Sequence, residues 1–563
     1  MSAQKSRTYR DSEIVDFVIV GSGAAGGVMA RELSRAGLSV VVLEQGPRPD
    51  IASFEHDEMK YSYLGGLSND AVKNPQTFRD DPAKKAELQK FRPALWYGRG
   101  VGGASLHYTA NFWRLHEIDF KERSVLGAIP GTGFADWPIT YQDLEPYYTK
   151  VDWEIGVSGL AGVDPLDPPR SKPYPMPPLP VKSSGVLLER GARKLGLHPV
   201  PAPLAINSEL YRGRPGCIHC GFCHSFACEV TAKASTLTTV IPEAEATGRC
   251  EVRPDSYVAR IETNAQGRTT GVAYYDGRRG VGGAAGNGAR ERFQKARAVV
   301  VCANGAETPR LLLNSSNPRF PQGLANSSGV VGKYLMFNYN SRALGLFEHE
   351  LNEHKSVQVS RIVMDFYNAD PKRGFYGGGG LDARMGPQPT AWAIRTAGEG
   401  PAWGSEFKSR LREFTHSMHI AGHTTSLAVE SNNITLDPDV KDAWGLPAMR
   451  VTYKDHPDDL ATARFLQDRG VEILEAAGAA RVTRAPITGS KFSVHLLGTC
   501  RMGNDPAASV IDKFHRSHDV PNLFICDGSS LVTSGRGQPT MTIQALAFRA
   551  GEHIAGFAKR GEI

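Results

Sequence analysis

The residues predict an α/β protein built on a nucleotide-binding strand, helix, strand unit, with a second, mixed-sheet domain laid over it. Three observations carry that expectation: an apolar run VDFVIV at residues 15–20, a glycine turn GSGAAGG at 21–27, and a second apolar run SVVVL at 39–43. The helix-like stretch between them runs to Ala36, Gly37 stops it, and the second strand ends in Glu44.

Each glycine of the turn has a physical task. Gly21 permits the tight turn, Gly23 lets the backbone approach a pyrophosphate, and Gly26 lets helix and strand pack closely, while the helix N-terminus offers free N–H groups to the anion. Glu44, 18 residues after Gly26, is placed to accept from ribose hydroxyls and disfavours a 2'-phosphate. NAD and FAD both use this Rossmann-type unit, so the choice between them comes from elsewhere. A second glycine loop, WYGRGVGGASLH at residues 96–107, can lay backbone against a flat ring or a second phosphate, and it brings Gly102, Gly103, Ser105 and His107 into consideration.

Composition sets the outer limits. A chain of 563 residues is long enough for more than one core, because single cores stop growing near about 250–300 residues. The net charge of +6 is spread over 65 basic and 59 acidic residues without a long basic block, which gives nucleic-acid binding little support. No run approaches the roughly 18 apolar residues of a membrane helix, and the polar start MSAQKSR lacks a signal peptide's apolar core, so no transmembrane segment or leader is expected.

Four of the eight cysteines fall within residues 217–228 as Cys217, Cys220, Cys223 and Cys228. This C-x2-C-x2-C-x4-C spacing supplies soft thiolates on one tight loop, as an iron-sulfur cluster requires. A zinc site is the competing reading, but four-thiolate zinc sites usually pair two separated C-x2-C knuckles, and contiguous ligands fit a cluster better. Disulfides or free thiols are the third reading. Cys250, Cys302, Cys500 and Cys526 lie in apolar strand-like surroundings and read as buried, inert thiols.

With these motifs the chain resembles the glucose-methanol-choline (GMC) family of FAD-dependent oxidoreductases over almost its full length. Further pieces of the resemblance are KAST at 233–236, AVVVCANGAETPRLLL at 298–313, HLLGTCRMG at 495–503 and NLFICDGS at 522–529. The cysteine quartet narrows the likeness to flavoprotein subunits of bacterial sugar dehydrogenases, similar to gluconate 2-dehydrogenase, FAD-dependent glucose dehydrogenase and glucoside 3-dehydrogenase. The resemblance implies FAD as cofactor, an iron-sulfur cluster of three or four irons, and electrons passed to a cytochrome. Relatives with three-iron clusters leave Cys217 or Cys220 as the spare thiol. The implied reaction is hydride transfer from a sugar or glycoside hydroxyl, with the C3 hydroxyl of glucosides favoured over gluconate C2 or glucose C1. An oxidase with a structural metal and a non-catalytic flavin-binding subunit are the other readings.

The same likeness assigns residues. His495 becomes the base that takes the hydroxyl proton, a task that requires a side chain titrating near neutrality. Gln538 stands where asparagine is common and can still donate to a substrate oxygen. Ala303, Asp527 and Gly528 fall near the flavin's ribityl and pyrophosphate. Pro539 and Thr540 lead into a final helix over residues 542–557, whose dipole favours negative charge on the flavin. His107 either contacts the flavin or carries it covalently. Partners implied are a small twin-arginine-signal subunit and a haem c subunit, which puts the complex at the periplasmic membrane face, with a cytoplasmic location as the alternative.

The nucleotide-binding pieces are scattered, so the FAD domain is read as discontinuous: residues 1–65, 91–160, 200–330 and 490–563. Residues 331–489 form the substrate domain, and 161–199 is a proline-rich crossing. Residues 280–288 read as a hairpin tip and 377–380 as a mobile glycine loop. Strand-like segments at 356–366, 424–436 and 449–452 are expected to form one sheet over the flavin. Trp392 and Trp403 are candidates to stack on a sugar, and Glu430, Asn432 and Asn433 to bind its hydroxyls.

Overall fold

The two apolar runs at the start pair as parallel strands, Val15–Val20 beside Val40–Leu43, with Phe17 opposite Val40 and Val20 opposite Leu43. The computed structural model describes residues 7–63, 65–90, 92–277, 291–384, 388–398 and 400–563. Both strands are almost wholly buried, and accordingly read as continuous apolar runs in the sequence. Glu291–Val301 pairs in parallel on the other side of Val15–Val20, and Leu523–Ile525 adds to it in turn. Cys250–Arg253 extends the opposite edge, and Thr269–Asp276 and Ser256–Thr263 continue the sheet as antiparallel strands, seven in all. This sheet is thus assembled from segments between residues 15 and 525.

The first helix, Ala24–Arg35, packs beneath the sheet against the last, Thr540–Lys559, which begins two residues before the expected 542 and runs two past 557. Close packing at its start depends on Gly26, where a side chain would collide with the Gly21 carbonyl.

A second, six-stranded antiparallel sheet has the order Arg481–Arg484, Asn340–Leu346, Ser417–Thr424, Gly379–Arg384, Val359–Val363, Pro199–Pro201. Its side chains alternate sharply. Ala343, Leu381, Ala383, Met418 and Ile420 point to one face and form a core with the helices Ser183–Lys194 and Pro457–Ala477. Strand periodicity puts Asn340, Arg342, Asp382, Arg384, His419 and His423 on the other face, which is polar.

The expectation of one sheet over the flavin is corrected. Val359–Val363 joins the six-stranded sheet and Thr424 closes its central strand, whereas Asn433–Lys441 and Pro447–Thr452 form a separate four-stranded sheet with Gln76–Arg79 and Glu87–Leu88. Apolar alternation marks a strand but not its partner, and here Met449 pairs with Gln76 from the far end of the sequence. The crossing at 161–199 also does more than cross, since its last part supplies a helix to the second core and is followed by an edge strand. The glycines at 377–380 are packed rather than loose: Gly379 starts a strand, and a side chain on it would strike the His423 carbonyl. Residues 280–288 lie outside the described residues. Among the described residues no helix is long and apolar enough to cross a membrane.

Candidate active site

The seven-stranded sheet and the polar face of the six-stranded sheet together line a cavity of about 730 Å³. The helices Ala24–Arg35, Asn304–Asn314 and Thr540–Lys559 all begin at its wall, and the residue that precedes each gives it no side-chain cap. At Ala24–Arg35 and Thr540–Lys559 the first N–H groups are available to an anionic guest, whereas at Asn304–Asn314 they are taken by Asp527 and the Asn304 side chain, leaving the dipole. Gly21, Gly23, Glu44, Gly103, Ser105, Ala303, Asp527, Gly528, Pro539 and Thr540 all reach the cavity as expected from the sequence. Gly26 and Gly102 do not line it. Gly26 works by packing on Gly21, and Gly102, in a left-handed turn at φ 108°, donates its N–H to Ser22 Oγ at 3.2 Å.

Glu44, expected to accept from ribose hydroxyls, also has bonds of its own within the chain. It is buried, and its two oxygens already accept from Ser22 N (3.1 Å), Ser22 Oγ (2.8 Å), Gly46 N (3.0 Å) and Gly100 N (3.2 Å). The carboxylate ties the first glycine loop to the second, although burial pushes its pKa above the usual value against those bonds. Asp527 does the same for the helix Asn304–Asn314, accepting from Asn304 N at 3.0 Å and Thr308 Oγ1 at 2.6 Å.

His495 faces the cavity with a defined tautomer. Its Nδ1 lies 3.1 Å from Asn338 Oδ1, and Asn338 donates through Nδ2 to the Thr424 carbonyl at 2.8 Å and the Gly535 carbonyl at 3.3 Å. With its amide fixed in that sense, Asn338 offers His495 only an acceptor. The imidazole then carries its proton on Nδ1 and leaves Nε2 as a free lone pair. Burial, reinforced by His423 and Arg384, pushes the His495 pKa down to about 3, which corrects the expectation of a base titrating near neutrality: the ring stays neutral at ordinary pH.

Gln538 also lines the cavity, and its amide nitrogen lies 3.3 Å from His423 Nδ1. His423 Nε2 in turn lies 2.6 Å from Asp382 Oδ2, and Arg384 binds the same carboxylate through Nε at 2.6 Å and through a second nitrogen. Burial opposes ionisation of Asp382, but Arg384 and His423 outweigh it and hold the carboxyl well below its usual range. His423 Nε2 lies between Asp382 Oδ2 at 2.6 Å and Arg384 Nη2 at 2.8 Å; with the ionised Asp382 accepting from Nε2–H, His423 Nδ1 is the acceptor for Gln538. One amide N–H of Gln538 is thereby taken, leaving its other N–H and its carbonyl for a guest.

Sequence reasoning missed Asn338, Asp382, Arg384 and His423. The available signal was polar alternation in strands: Asp382 and Arg384 two apart, His419 and His423 four apart.

His107 lines the cavity with a buried Nε2 that has no hydrogen-bond partner. Burial, with Lys233 and His224 nearby, pushes its pKa down to about 3. Its carbonyl accepts from Ser225 N at 2.9 Å, which joins the second glycine loop to the cysteine loop. His224 and Ser225 of that loop are themselves cavity wall.

The four thiols of residues 217–228 are unbridged, and their charges act on one another. Left-handed backbone at His219, Gly221 and Ser225 curls the loop tightly. His219 N donates to Cys217 Sγ at 3.4 Å and Lys233 N to Cys228 Sγ at 3.5 Å. The Lys233 ammonium is buried beneath them, donating to the carbonyls of Tyr108, Cys223 and Phe226 at 2.7–2.8 Å. Burial pushes Cys217 up to about 11 and Cys223 up to about 12, so these thiols ionise only when a cation stabilises them. Among the described residues no three His, Cys, Asp or Glu side chains converge as a single metal ion requires. Cys250, Cys302, Cys500 and Cys526 are buried as expected.

The sugar-binding candidates are not at the cavity. Trp392 is buried against Phe414, Trp403 is exposed, Glu430 pairs with Lys333, Asn432 binds the Lys454 carbonyl, and Asn433 Nδ2 binds the Ser431 carbonyl. Residue type suggested a role for each, but none carries positional information.

Residues 15–337 and 428–547 match the family described as GMC oxidoreductase. The chain is 36% identical to the 2-methyl-1,2-propanediol dehydrogenase of Mycolicibacterium austroafricanum, covering 96% of this chain and 95% of that protein. It is 30% identical to the fructose dehydrogenase large subunit of Gluconobacter japonicus, over 97% and 98% of the two. A formate oxidase of Aspergillus oryzae, solved in a study of its FAD modification, superposes with a TM-score of 0.66 at 14% identity, over 98% of this chain and 100% of that one.

Proposed function

The chain belongs to the GMC oxidoreductase family, and from that premise we propose that it is an FAD-dependent dehydrogenase of a sugar or glycoside hydroxyl, with the C3 hydroxyl of glucosides as the first position to assay. The observation that carries the reading is the free Nε2 of His495, held toward the cavity by Asn338 and flanked by Gln538. FAD, when bound, supplies the hydride acceptor. The chain's residues do the rest. The uncapped helix ends at Ala24 and Thr540 and the two glycine loops hold the dinucleotide, and the orphaned His107 Nε2 is a polar atom that a bound ring would satisfy. Gln538, immobilised by His423 and Asp382, fixes the substrate oxygen. His495 Nε2 takes the hydroxyl proton as the hydride leaves carbon.

For the electrons' exit we propose an iron-sulfur cluster on Cys217, Cys220, Cys223 and Cys228. Thiolates around several metal atoms need not converge on one point, and the backbone N–H donors at the sulfurs with buried Lys233 beneath suit an anionic cluster. His224 and Ser225 make the loop part of the cavity wall, which suits one-electron relay to a cytochrome. The relative named as a large subunit supports a multi-subunit enzyme. In this proposal the partners are a small twin-arginine-signal subunit and a haem c subunit at the periplasmic membrane face.

Anaerobic mixing of the holoenzyme with glucose, methyl glucosides, gluconate and sorbitol tests the reading. Flavin bleaching by at least one of these, and a product ketone located at C3 by NMR, is the expected result. Failure of every polyol to bleach the flavin, or rapid peroxide release in air with redox-silent iron, would overturn it.

A further inference from the structure

The polar face of the six-stranded sheet carries one cation that the protein leaves without a contact. Arg342 stands on Asn340–Leu346 and lines the cavity, its side chain open to that space. Among the described residues it makes no side-chain hydrogen bond and no ion pair, whereas Asp382, Arg384 and His423 on the same face are bonded to one another. The charged groups acting on it are Arg384, Asp382 and Arg395. Asp382, the acid among them, is fully committed, with one oxygen on Arg384 Nε and the other on His423 and Arg384. Of the acids that line the cavity, Glu44 and Asp527 hold the nucleotide side as described, and Glu307 is bonded to Tyr97 and paired with Arg310. None neutralises Arg342. Burial and the neighbouring Arg384 press its pKa down, against the pull of Asp382.

A guanidinium that opens onto a cavity without an anion of its own is free to pair with one that a guest supplies. Its planar fork matches a carboxylate in bidentate fashion better than an ammonium would. We propose that Arg342 is a specificity residue that binds a carboxylate on the substrate, so that within the sugar and glycoside class the acidic members are preferred over their neutral counterparts. This deepens the dehydrogenase reading and rests on it: His495 and Gln538 hold the reacting hydroxyl while Arg342 anchors the acid end. The neighbouring Arg384 is tied to Asp382 and belongs to the Gln538 support, so the anchoring falls on Arg342.

The test uses holoenzyme and anaerobic flavin reduction with D-gluconate and D-glucuronate against D-glucose and methyl β-glucoside, with glucose 6-phosphate as a second anion. Parent protein should show a lower KM for the acids than for either neutral sugar. In Arg342→Gln the KM for the acids should rise about 10- to 100-fold, the range for losing a charged hydrogen-bonded pair, with kcat and the neutral-sugar KM unchanged. Arg342→Lys should recover part of the loss. Perturbation of the flavin spectrum by the acids gives a binding readout independent of turnover, and it too should vanish in Arg342→Gln. Equal KM values for acids and neutral sugars, or a preference for the phosphate, overturns the carboxylate assignment while leaving the dehydrogenase intact. If no compound bleaches the flavin, the dehydrogenase reading fails, and the spectral titration alone decides for or against the Arg342 site.

Discussion

The two walls of the cavity recognise their guests by different means. On the nucleotide side the work is done by backbone: glycine loops touching at Gly23 and Gly103, and uncapped helix ends at Ala24 and Thr540. On the opposite side it is done by side chains presented on alternate strand positions, Asn338 and the set Arg342, Asp382, Arg384 and His423. Backbone recognition tolerates little change in shape and carries little chemical selectivity. Side-chain recognition on a strand face can be rewritten one residue at a time without disturbing the apolar core behind it.

The sharpest way to break this contrast is at His495. In His495→Ala the rate of flavin reduction by substrate should fall about 10²- to 10⁴-fold, with flavin content unchanged, because the nucleotide wall is untouched. Loss of flavin from that variant would show that the two walls are not separable. Cys223→Ser is expected to leave flavin reduction by substrate intact while cytochrome c reduction drops to background and protein-bound iron is lost. Undiminished cytochrome reduction would remove the cysteine loop from the electron path.

A smaller effect tests the chain behind Gln538. His423→Ala should lower kcat by roughly 10-fold, the loss of one positioning hydrogen bond, and Asp382→Asn should act in the same direction by releasing the His423 tautomer. Neither should change flavin content, and an unchanged kcat in both would make the network purely structural. The pH profile sharpens the picture further. A histidine at its usual value near 6.5 would be only about 3% neutral at pH 5, whereas His495, pushed down to about 3, remains neutral there. Its base form is lost only as pH falls through that lowered value, so flavin reduction at pH 5 should retain most of its pH 7.5 rate. A steep loss below pH 7 would place the base elsewhere. The smallest intervention is acid precipitation. Flavin released into the supernatant means that His107 contacts the ring without a covalent bond, and flavin retained in the pellet means that it carries it.

The contrast also explains what the residues disclosed before folding. Gly21, Gly23 and Glu44 were legible because turn, helix and acid lie within one short local unit whose spacing is the signal. The cysteine loop was legible for the same reason. His423 was not: it meets Asp382 across 41 residues and Gln538 across 115, and only strand register brings them together. Two neighbouring strand-like segments were assigned to the wrong sheet because alternation reports burial of a face, not the identity of a partner. Trp392 and Trp403 show the weakness of arguing from residue type, since one is core and the other faces solvent. Lys233, five residues past Cys228, was noted only as part of a motif; that its ammonium sits under the thiols depended on the curl of the backbone.

Glu44 holds the first glycine turn and the second with bonds that involve no guest at all. Those bonds fix the two turns against each other, so part of the berth's shape is set by the chain's own contacts and less ordering is left for binding to supply. A carboxylate expected to read a ribose is thus also the clasp that joins the two turns.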